Sequence, residues 1–153
     1  MRFQQVKEVI EWAVDTHARL AEQFAALSRG AGDERLKMAA SYLAERERKM
    51  EEALTQYLDE DSQYRNSLET WFNDGSQFPH PEVVDELTKS APETTDDLLA
   101  TALSIHKTLS EMYTRRVEAA RVDSERALFK ALVAGHNSEV RRIVRDFGRL
   151  EML

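Results

Sequence analysis

The sequence predicts an all-α fold, an antiparallel four-helix bundle, and three observations carry the prediction. Apolar residues recur at steps of three and four along four long segments, the spacing that lines up one face of a helix. The composition agrees: 32% charged and 42% apolar residues, with only 5 Gly and 3 Pro in 153, suit long amphipathic helices better than sheets. The chain also repeats a phrase. His17-Ala-Arg-Leu-Ala-Glu-Gln-Phe24 returns as His106-Lys-Thr-Leu-Ser-Glu-Met-Tyr113, an offset of 106 − 17 = 89 residues. A repeat on that scale implies two related helical hairpins, each opened by a helix with a histidine on its apolar face.

The first helix is predicted near 3–29, with Val6, Ile10, Ala13, His17, Leu20, Phe24 and Leu27 as its stripe. Gly30 and Gly32 suit its C-terminal end, and Asp33 is a candidate cap for the next helix. That second helix, near 34–58, has the stripe Leu36, Ala40, Leu43, Glu47, Met50, Leu54 and Tyr57 or Leu58. Apart from Glu47, the run Glu45-Arg-Glu-Arg-Lys49 reads as a solvated, self-paired face.

The helical period is lost between 59 and 94, except for a short helix predicted at 82–89, opened by Pro81 and ended by Ser90-Ala-Pro92. This length exceeds a tight turn and suits a crossover that carries the chain from one end of a bundle to the other. Leu68, Trp71, Phe72 and Phe78 give it apolar groups that need somewhere to pack. Thr94 and Asp97 then announce a third helix near 95–120, with the stripe Leu99, Ala102, His106, Leu109, Tyr113 and Val117. A fourth, near 124–151, carries Leu128, Leu132, Gly135, Glu139, Ile143, Phe147 and Leu150. The expected organisation is a single domain over 1–153, with hairpins at about 3–58 and 95–151 joined by the crossover 59–94.

Four polar residues interrupt these stripes near mid-helix: His17, Glu47, His106 and Glu139. Glu139 is matched to Glu47 at an offset of 139 − 47 = 92, against 89 for the histidines, which would make the second hairpin's turn three residues longer. Buried carboxylates and imidazoles need partners or an ion. One expectation is a single divalent metal, iron, zinc or manganese, held by His17, Glu47, His106 and Glu139 with His136 as a further ligand. The other is a buried ion-pair network, with Arg142 or Lys49 leaning in, that only fixes helix register in a non-catalytic homodimer.

In helix order, internal duplication and long crossover the chain resembles the ferritin-like, rubrerythrin-like di-iron bundles, and the small bacterial proteins of that fold. The family places an inward Glu on helices one and three and Glu-x-x-His on helices two and four. Here His17 and His106 take the places of the first and third glutamates. Glu47 and Glu139 match the other two, but Met50 and Arg142 stand where the family has His. What the resemblance implies is a ferritin-like topology and a degenerate metal site, redox or stress related, without the six ligands that two irons require.

Other classes are disfavoured. The chain has no Cys, which removes disulfides, thiolate metal sites and cysteine nucleophiles. A net charge of −7 argues against nucleic acid as a partner. No apolar run has the length of a membrane span or a signal core, so a cytoplasmic location is expected. Neither a phosphate-binding Gly-rich loop nor Gly-x-Ser-x-Gly occurs, so the reading leans away from an enzyme and assigns no catalytic residue or substrate.

Overall fold

The chain forms four long helices, α1 (Val6–Gly30), α2 (Glu34–Thr55), α3 (Thr95–Ala119) and α4 (Asp123–Glu151), in a computed structural model that describes residues 2–72, 81 and 91–151. Two short 3-10 turns, Gln56–Leu58 and Arg65–Ser67, follow α2, and no strand occurs among the described residues. All four helices fall where the apolar stripes predict them. The short helix predicted at 82–89, and Phe78, lie outside the described residues.

The helix ends have identifiable causes. Asp33 caps α2 by accepting from the Arg35 N–H at 3.1 Å, and the Thr94 hydroxyl caps α3 by accepting from the Asp97 N–H at 3.0 Å. The first helix starts at Val6 rather than at residue 3 because the residues before it pair with residues 68–72. Phe72 N–H donates to the Gln4 carbonyl at 2.8 Å, and Gln5 and Trp71 form an isolated antiparallel bridge. The Val6 and Lys7 N–H groups, without partners inside their own helix, donate to the Thr70 and Leu68 carbonyls at 3.0 and 2.8 Å. Phe3 is thereby drawn into the interior and fully buried.

Buried apolar residues fall into two clusters. One gathers Leu20, Phe24, Leu43, Leu98, Ile105 and Phe147; the other gathers Phe3, Ile10, Leu68, Tyr113, Leu128 and Phe129. Along α1 the changeover falls between Ala13 and Leu20, around His17, and along α3 between Leu109 and Met112, one turn beyond His106. Phe72 packs into the second cluster, 6.3 Å from the Phe129 ring and under the Arg116 guanidinium at 4.1 Å. Its neighbour Trp71 is 64% exposed. Among the described residues no helix is long and apolar enough to cross a membrane.

Candidate metal centre

Close to where the two apolar clusters meet lie four polar side chains, one from each long helix: His17 (α1), Glu47 (α2), His106 (α3) and His136 (α4), all buried. Each helix supplies its member for the same reason: the residue occupies a core-facing position on a stripe that is apolar above and below it. Glu47 lies at the centre. Its Oε2 is 2.5 Å from His17 Nδ1 and its Oε1 is 2.7 Å from His106 Nε2. The third imidazole closes the group from the side, with His136 Nε2 3.0 Å from the His106 carbonyl oxygen. Ring centroids are 6.0 Å apart for His17 and His106, 6.3 Å for His17 and His136, and 4.9 Å for His106 and His136.

Protonation follows from these contacts. Burial pushes the Glu47 carboxyl up, but charge on His106 and His17 and their hydrogen bonds outweigh it and bring the group down to about 2. Glu47 is therefore a carboxylate, an acceptor only, and both imidazole nitrogens facing it donate. Burial lowers His136 to about 3, with repulsion from His106 and His17 acting in the same direction. A neutral His136 that donates through Nε2 to a carbonyl carries its lone pair on Nδ1, the state in which imidazoles bind metals. The buried Nδ1 of His106 has no hydrogen-bond partner among the described residues.

Three of the four stripe-interrupting residues, His17, Glu47 and His106, thus meet as the sequence predicts; Glu139 does not join them. Its side chain is 21% exposed and is gripped by Arg46, whose Nη2 donates to Oε1 at 2.6 Å and Nε to Oε2 at 3.1 Å. Arg142 is further off, with Nη1 at 3.6 Å from Oε1, and Lys49 pairs instead with Glu52 at 3.8 Å. The physical reason is phase. At about 3.6 residues per turn, positions 136 and 139 of α4 both lie near its inward line, and the backbone settles with 136 inside and 139 partly exposed.

His136, predicted only as an extra ligand, is the true counterpart of Glu47. The repeat contained the signal: 136 − 47 = 89, the same offset as 106 − 17, so no longer turn is needed. Arg46 went unread because it sits within a run of charges; it is 14% exposed and bridges α2 to α4. A second bridge lies one turn away, where the Tyr42 hydroxyl donates to Asp146 Oδ2 at 2.6 Å.

The chemistry of the donors, three imidazoles and one carboxylate shielded from water, fits a divalent transition metal. As arranged, no group of three or more such side chains among the described residues is disposed to hold an ion. Each Glu47 oxygen is instead engaged by an imidazole N–H. Comparison with protein-family models, with curated proteins and with solved structures returns no match.

Proposed function

We propose that this protein is a metal-binding helical bundle in which His17, Glu47, His106 and His136 hold one divalent ion, iron, zinc or manganese. The observation that carries the reading is the convergence of three imidazoles and one carboxylate, from four different helices, on one buried level. A carboxylate at 0% exposure needs a compensating cation, and a divalent ion flanked by imidazoles supplies one. An ion here takes the place of the protons now shared between Glu47 and its two histidines, so its affinity falls with acidification. His136, whose Nε2–H already donates to a backbone carbonyl, has the orientation that ligating histidines share. When bound, the ion supplies a Lewis acid and, if iron or manganese, a redox centre; the protein's part is to bury it and fix its ligands.

The same reading includes an antiparallel bundle of ferritin-like connectivity. It is supported by contacts that run in opposite order along paired helices. Ser28 meets Lys37 where α1 ends and α2 begins, and His17 meets Glu47 further along both. Tyr42 with Asp146 and Arg46 with Glu139 do likewise for α2 and α4, as do Ser110 with Asn137 and Arg116 with Glu125 for α3 and α4.

One observation favours a second reading: both Glu47 oxygens are already satisfied by hydrogen bonds. A complete network of that kind can hold helix register with no ion at all. Thermal melting of chelator-treated protein with added zinc, manganese or anaerobic ferrous iron separates the two. A ligand of the native state raises the melting temperature with its concentration. The metal reading predicts such a rise in the wild type and in Glu139→Gln, and none in Glu47→Gln or His136→Ala. No rise in the wild type with any of the three ions leaves the register reading.

A further inference from the structure

A cleft of about 200 Å³ opens between α2 and α4 and reaches inward to His17 and His136, with Tyr113 of α3 in its wall. Met50 and Leu54 line one side and Leu132 the other, so most of its surface is apolar. One fact indicates that it is built to be occupied. The Tyr113 hydroxyl is buried and has no hydrogen-bond partner among the described residues, a state that costs stability unless something enters to satisfy it.

We propose that this cleft binds a small neutral hydroxylated aromatic molecule, of the phenol class, with its ring between Met50, Leu54 and Leu132 and its hydroxyl towards Tyr113. Size sets the first limit: an apolar cavity of roughly 150 Å³ takes up benzene, so about 200 Å³ admits one substituted ring. The thioether of Met50 and the Tyr113 ring favour an aromatic guest over an aliphatic one. Charge sets the second limit. Glu139 at the cleft is already neutralised by Arg46, Lys49 is paired with Glu52, and the carboxylate of Glu47 behind His17 disfavours an anion. The third limit is hydrogen bonding: the buried Tyr113 hydroxyl has a donor to place and no partner among the described residues. A hydroxyl oxygen on the guest accepts that donor, which a bare hydrocarbon ring cannot do.

The proposal does not depend on a bound metal, and calorimetric titration of the chelator-treated full chain with phenol tests it on its own. The expected result is saturable binding with a dissociation constant in the millimolar range or tighter, and weaker binding of benzene and benzoate. Gly135→Leu, which fills the cleft from a solvent-facing helix position, abolishes it. Tyr113→Phe, which removes only an unpartnered oxygen and leaves the ring to pack, weakens it by about tenfold. Absence of saturable heat with phenol, or equal affinity in the wild type and Gly135→Leu, overturns the proposal and leaves the cleft to water alone. Circular dichroism melts of both variants establish that they are folded before either is compared.

Discussion

Glu47 and Glu139 carry the same charge in different surroundings, and their replacement has different consequences. Glu47 is wholly buried between two imidazole donors, so Glu47→Ala in the metal-free protein leaves two buried N–H groups unpaired and costs about 3 kcal/mol or more. Glu139 is 21% exposed, and its loss frees Arg46 towards water at about 1 kcal/mol. Urea denaturation measures both; equal costs would contradict the placement of Glu47 at the centre of the layer. His136 sets a pH dependence. Its folded value of about 3 lies below the ordinary 6.5, so between those limits the unfolded chain binds a proton that the folded chain refuses. Stability of the metal-free protein is then full above pH 6.5 and declines as the pH falls towards 3, with a slope of up to about 1.4 kcal/mol per pH unit. Glu47 adds a loss of its own as the pH falls from 4.5 towards about 2. Urea midpoints measured against pH will show the upper part of that decline missing from His136→Asn. At this scale the sequence is legible where a polar residue breaks an apolar stripe, as His17, Glu47 and His106 do. It misleads where two candidates share a helical face, as His136 and Glu139 do, and only the repeat's offset separates them.

The helices were the most legible part of the chain because each announces itself twice, by its stripe and by its ends. Asp33 and Thr94 cap the helices they were expected to cap. The entry to α1 was not legible, since it depends on residues some 64 positions away in the crossover. There Glu8 Oε2 accepts from both the Gln4 and Gln5 N–H groups at 2.6 Å, joining the first turn to the bridge with Trp71. Glu8→Ala therefore costs about 1 kcal/mol and increases amide exchange at residues 4–7 and 70–72 more than elsewhere. Uniform exchange changes along α1 would show that the junction is not a local unit. In α4, Gly135 stands mid-helix with open space at its Cβ position, so Gly135→Ala raises stability by about 0.5–1 kcal/mol, read as a shift in melting temperature. A loss of stability would mean that something occupies that space in the native protein.

Across the whole molecule, four buried polar groups share one level close to where the two apolar clusters meet. The duplication accounts for this. The interval 47 − 17 = 30 recurs as 136 − 106 = 30, so each hairpin delivers two core-facing polar groups to one level. Two hairpins related in this way give His–Glu from the first and His–His from the second. The pairing of residues 68–72 with residues 4–7 has no periodic signal in the sequence. We propose that the layer is a ligand set for one divalent ion and not packing alone. The most direct test of that is elemental analysis of untagged protein purified without chelator from metal-replete cells. The account predicts about one equivalent of iron, zinc or manganese per chain, lost in His17→Ala and Glu47→Gln and kept in Glu139→Gln. A metal-free wild-type protein, or a metal content that follows Glu139 and not Glu47, would contradict it.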